Sequence, residues 1–214
     1  MNIIETGLKF NGLKRRSSTH LIVLHHSASP DVPAAEIHAW HLTRGWAGIG
    51  YHFVIRKNGS IERGRPLEAI GAHAGPGING VSIGICLCGN FMKEMPEADQ
   101  IESLIKLIAW LNLYYAAANP KGLDIKLHRE VAATDCPGKL FPVEQIRGSI
   151  SVPDGDEGGM VVEAWKTDLM REAQRIGLIQ EEHQPDDVAP KWFVLAVALH
   201  VLESIKNGGK ELEQ

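Results

Sequence analysis

The chain has 214 residues, a formal net charge of −4, ten histidines and three cysteines. That length holds one domain of good size with a small appendage, and the weak negative charge without a long basic run excludes a nucleic-acid groove or an anionic membrane surface as the partner. No stretch of about 18 apolar residues offers a membrane span, and the opening MNIIETGLKFNGLKRRSSTH lacks the layout of a secretory signal. The expectation is cytoplasmic synthesis without a signal peptide and no membrane insertion. Cys86, Cys88 and Cys136 do not space as a disulfide framework, which suits a reducing compartment or a metal-bound thiolate.

The run HLIVLH, residues 20–25, is apolar and rich in β-branched residues, the pattern of a strand buried on both faces. Asp31 and Pro33 mark a helix start, and Gly45 closes a helix of about three turns. Asn58-Gly59 is a hairpin signal that pairs residues 51–57 with 60–63 as antiparallel strands. In GVSIGICLCG, Val81, Ile83, Ile85 and Leu87 alternate with small residues, giving another strand. Ile101, Leu104, Ile105, Ile108 and Leu111 recur at helical spacing between Pro96 and about Ala118. LDIKLH is a short strand ending at His128, and REVAATDCPG a loop stopped by Pro137 and Gly138.

Strands alternating with helices around one hairpin predict an α/β fold, a mixed central β-sheet flanked by helices, over residues 1–148. Residues 149–160 are small and acidic and read as a linker. Residues 161–214 suggest a small helical module built from two short amphipathic helices, too small for a core of its own.

Side chains alternate along a strand, so only one of His25 and His26 can face a given site. The partners available to it lie far along the chain, at His128 and Cys136. Two imidazoles and a thiolate suit a tetrahedral zinc, Zn2+, with the fourth position left to water, and three protein ligands rather than four mark a catalytic site. The same residues also read as satisfied core histidines and a buried thiol. Cys86 and Cys88 could form a CxC metal clip but, with no second pair of ligands, read first as small buried thiols; His38 and His41, three apart on one helix, have a spacing that permits metal binding and read first as exposed polar residues. Trp40 and Trp46 both read as packing residues, and Trp46, in a Gly-rich loop, is also a candidate for stacking on a sugar.

VLHHSAS, GWAGIGYHFVI, GAHAGPGINGVSIGICLCG and HREVAATDCPG stand in this order. Together they resemble the zinc-dependent N-acetylmuramoyl-L-alanine amidases, in pattern those of phage lysozyme type and the animal peptidoglycan recognition proteins, over residues 20 to about 147. The resemblance implies a peptidoglycan recognition protein-like fold, with His25, His128 and Cys136 as the zinc ligands and His26 as a packing residue behind them. It implies that Tyr51 orients the attacking water and stabilises the oxyanion. It places His73 and Asn79 along the substrate groove, His73 against the peptide stem. Thr134 stands where the phage enzymes carry a lysine, and its hydroxyl brings a hydrogen bond but no charge.

The substrate so implied is peptidoglycan, cut at the amide between N-acetylmuramic acid and L-alanine by a phage or prophage endolysin. The carboxy-terminal module is similar to part of a surface-layer homology unit and is expected to bind cell wall or mediate a homo-oligomer. Three rivals stand beside this reading: a non-catalytic muropeptide-binding protein, a cytoplasmic wall-recycling amidase, and a thiol hydrolase with Cys136 as nucleophile. The first is opposed by Cys136 itself, the third by the absence of a recognisable oxyanion loop.

Overall fold

Strand β2 (Leu21–His26) organises the domain, because it is paired on both edges and five of its six residues are buried. A computed structural model describes residues 2–150; most of the expected linker and the whole carboxy-terminal module lie outside the described residues. The other strands are β1 (Ile3–Ile4), β3 (Phe53–Ile55), β4 (Ile61–Arg63), β5 (Ser82–Leu87) and β6 (Asp124–Leu127). They form one six-stranded sheet in the order β1-β4-β3-β5-β2-β6, antiparallel at the β3–β4 hairpin and parallel at every other pairing. The mixed sheet expected from the alternation of elements is present.

Register and alternation sort the residues of these strands onto two faces. Ile22 and Leu24 of β2, Phe53 and Ile55 of β3, and Ile83, Ile85 and Leu87 of β5 pack with α3 (Ala98–Tyr114) through Leu104, Leu107, Ile108 and Leu111. Each such side chain, fully buried, contributes about 1.5–3 kcal/mol. The capping box at Glu97 and Gln100 starts α3, and the Gln100 amide also donates to the carbonyls of Ile55 at 3.2 Å and Cys88 at 2.9 Å, tying the helix start to the sheet. On the opposite face α1 (Ala34–Thr43) packs Ala34 and Ile37 against Ile49, Val54 and Cys88.

Several elements differ from expectation. His128 does not end a strand: it opens a single helical turn, α4 (His128–Val131), so part of the expected loop is helical. The turn closes because the Glu130 carboxylate accepts the Leu127 N–H at 2.6 Å, an interaction between residues that propensity ranks as unremarkable. Helix α5 (Val143–Ile150), not expected from the sequence, buries Ile146 in the core. β1 and α2 (Pro76–Asn79) are too short to leave a periodic trace in the sequence.

Candidate active site

His25 lies opposite Cys86 of β5 in a parallel pairing, and Leu24 lies opposite Leu127 at the end of β6. His25 therefore points to the face away from α3, and His26 into the α3 side. There the His26 Nδ1 accepts the Phe91 N–H at 3.1 Å, with the two rings 5.8 Å apart. The histidine doublet is divided between the two faces of one strand.

His128, immediately after β6, sets its ring 4.4 Å from that of His25. The following loop folds back on α4: the Arg129 N–H donates to the Cys136 carbonyl at 2.8 Å and the Arg129 guanidinium to the Gly138 carbonyl at 2.8 Å. Cys136 Sγ accepts the His26 N–H at 3.4 Å and lies 3.8 Å from His25 Nδ1. One donor atom from each of His25, His128 and Cys136 falls within 4.8 Å of the other two, and no other such group occurs among the described residues. Two nitrogens and one sulfur at that spacing fit a borderline-soft divalent cation.

The electrostatics agree with that use. Burial, and then the neighbouring His73, His128 and His26, hold His25 well below the usual imidazole range, while burial lowers His128. Both rings are thus neutral at pH 7, the state a metal requires. Burial pushes the Cys136 thiol up to about 11, against the opposing influence of the His26 N–H and Arg129. A free thiol held protonated is a poor nucleophile, whereas a cation would deprotonate it outright. Cys136 therefore suits coordination.

Tyr51 stands beside this group with its ring 5.1 Å from that of His25. Burial, and then the thiols of Cys86 and Cys136, keep its phenol well above its ordinary value, so it is a hydrogen-bond donor at neutral pH. What positions Tyr51 escaped sequence reasoning. His38 and His41, expected to be exposed, are buried, and their Nδ1 atoms accept the N–H groups of Ile49 at 3.2 Å and Gly50 at 2.9 Å. The backbone leading into Tyr51 had unmet donors, and two imidazoles on one helix face meet them. Their three-residue spacing, together with a glycine-rich loop close behind, was the available signal.

The remaining site residues divide. Trp46 is 39 % exposed, 4.6 Å ring to ring from His41, at the open end of the row of rings that leads through Tyr51 to His25. Thr134 is exposed, and its Oγ1 accepts the Cys136 N–H at 3.3 Å, bracing the loop that carries the sulfur. His73 and Asn79, expected along the groove, make the following contacts. His73 is buried with its ring against His25, and Asn79 Oδ1 is engaged by the backbone N–H groups of His73 and Ala74, each at 2.9 Å. Cys86 and Cys88 are buried free thiols, as expected.

A mixed-sheet domain in which three side chains able to hold a metal converge beside a protonated phenol has the parts of a hydrolase site. The chain belongs to the N-acetylmuramoyl-L-alanine amidase family, whose model matches residues 15–139 and so spans every site residue named above. It is 37 % identical over 131 residues to the endolysin of Klebsiella phage KP32, a match covering 58 % of this chain and 83 % of that one. Among solved structures it is similar to the N-acetylmuramoyl-L-alanine amidase LysC from Clostridium intestinale, at 39 % identity and a TM-score of 0.66, over 72 % of this chain and 99 % of the other. Drosophila PGRP-LB is similar at 28 % identity and a TM-score of 0.61, over 73 % and 99 %. The protein is an amidase.

Proposed function

We propose that the chain is a zinc-dependent endolysin that hydrolyses the amide between the lactyl group of N-acetylmuramic acid and L-alanine in peptidoglycan. The observation that carries this is the meeting of His25, His128 and Cys136 within 4.8 Å beside the Tyr51 ring. In this reading the three side chains hold the zinc. The chemistry available at such a centre is acidification of a water, to a pKa of roughly 7, and polarisation of the amide carbonyl.

The protein's own groups do the rest. Tyr51 donates its phenolic hydrogen to the oxygen that gains charge as the carbonyl carbon becomes tetrahedral. The hydroxyl of Thr134, two residues before Cys136, supplies a weaker, uncharged contribution and keeps the Cys136 loop in place. Exposed Trp46 offers an apolar face for a sugar or peptide to stack on. His38 and His41 hold the loop that delivers Tyr51.

Among the described residues no helix is long and apolar enough to cross a membrane. We place the enzyme's action at the wall after its release, with the region from 161 to 214 binding a wall polymer or joining copies of the chain. Co-sedimentation of a truncated protein with purified walls, and its mass in solution, test that assignment.

The amidase reading is tested by mass spectrometry of muropeptides digested with and without a chelator. Free stem peptides beginning with L-alanine are expected from the zinc-loaded protein, none after chelation, and restored cleavage when zinc is returned. Undiminished cleavage in the chelated, metal-free protein would overturn it.

A further inference from the structure

His73 lies with its ring against that of His25, 5.0 Å between centroids. It is 8 % exposed, and its two ring nitrogens both face protein atoms: Nδ1 lies 3.0 Å from His25 Nε2 and Nε2 lies 3.4 Å from Ser82 Oγ. The direction of these contacts follows from the far end. The Ser82 hydroxyl donates its only hydrogen to the Ile78 carbonyl at 2.6 Å, so toward His73 its oxygen can only accept. His73 Nε2 therefore carries the hydrogen, and His73 Nδ1 is a bare acceptor. His25 Nε2 must in turn be the donor, which leaves the lone pair of a neutral His25 on Nδ1, the atom 3.8 Å from Cys136 Sγ.

The fold spends several residues on placing this one ring. A Cβ at Gly84 would come within 2.6 Å of the His73 ring carbons, and one at Gly71 within 2.5 Å, so two glycines are required to form the slot. Gly84 sits on β5, where a side chain would otherwise project on the same face as Cys86. Asn79 clamps the His73 and Ala74 N–H groups, fixing the backbone from which the ring enters. A histidine that only filled space would not need a polar chain ending on a committed hydroxyl.

We propose that His73 is a positioning residue, which by accepting from His25 Nε2 selects the tautomer and orientation that present His25 Nδ1 to the metal. The inference rests on the reading of His25, His128 and Cys136 as a zinc site. A hydrogen-bonded partner of this kind fixes the ligand ring and raises its basicity, and its loss costs roughly 10–100-fold in metal affinity.

Two measurements on the full chain test it. In the first, zinc is titrated against a competing chromophoric chelator for wild type, His73→Phe and His73→Asn, with thermal unfolding of each metal-free protein alongside. His73→Phe is expected to bind zinc roughly 10–100-fold more weakly while still folding. His73→Asn, which keeps an acceptor near the Nδ1 position, is expected to recover most of that loss. A folded His73→Phe with wild-type affinity would overturn the inference and leave the amidase reading intact; a wild type that takes up no zinc would overturn both.

The second measurement needs no variant and stands even where His73→Phe fails to fold. Long-range proton–nitrogen NMR spectra of the zinc-loaded wild type report the tautomer of each histidine. The expected result is a hydrogen on Nε2 in both His25 and His73, with Nδ1 of His73 bare. A hydrogen on Nδ1 of His73 would sink the proposal.

Discussion

The two faces of the central sheet are made by alternate residues of the same strands and serve opposite purposes. Toward α3 the strands present Ile22, Leu24, Phe53, Ile55, Ile83, Ile85 and Leu87, a continuous apolar layer. On the other face β2 and β5 present His25, Gly84 and Cys86, with His52 and His73 packed close by. Burial on the first face is favourable by itself. On the second, each imidazole must find a partner or cost stability. One face holds the domain together, and the other uses that rigidity to hold polar groups where water would not leave them.

Substitutions on the two faces should separate cleanly. Cys136→Ser has the largest expected effect: it should abolish release of stem peptides and zinc uptake together, with the unfolding midpoint of the metal-free protein little changed. Tyr51→Phe should retain zinc and lower kcat by roughly 10²–10³-fold, as loss of one oxyanion donor does. Full activity in that variant would remove Tyr51 from the mechanism. Leu104→Ala, from the apolar side, should reverse the pattern, costing about 2–5 kcal/mol in denaturant unfolding while zinc affinity and kcat stay near wild type at low temperature.

The last comparison is of acid stability, to which the buried histidines of the polar face contribute. Burial lowers His41 to about 4 and His52 to about 3, from an ordinary value of 6.5. Between those limits the unfolded chain binds protons that the folded chain refuses, so stability present above pH 6.5 is lost progressively as the pH falls toward 3. His41→Asn should flatten the decline between pH 6.5 and 4 in thermal unfolding and leave in place the part owed to His52 and the other buried histidines. An unchanged slope would show that His41 is not held neutral by the fold.

Much of the fold was legible because periodicity reports burial directly. β2, β5 and α3 each repeat their apolar residues long enough to show a period, and the Asn58-Gly59 turn fixed the hairpin between β3 and β4. β1 and α2 were invisible because two and four residues have no period. α5 went unnoticed because its eight residues are too few for more than a brief apolar repeat, and Ile146 is the one residue of it buried in the core. His38 and His41 were misassigned to the surface for a related reason, since a polar residue is buried only when a distant backbone group needs it.

By itself, then, the sequence determined the class of fold, the separation of His25 from His26 onto opposite faces, and, through ordered motifs, the family to which the residues at 25, 128 and 136 belong. Tertiary structure alone decided that a nitrogen at position 25 and a sulfur 111 residues later come within 3.8 Å, and that His73 stands behind His25. Alternation and propensity act over a few residues and are written locally. The register of parallel strands joined through long crossovers depends on packing summed over the whole domain, and so does any site assembled across them.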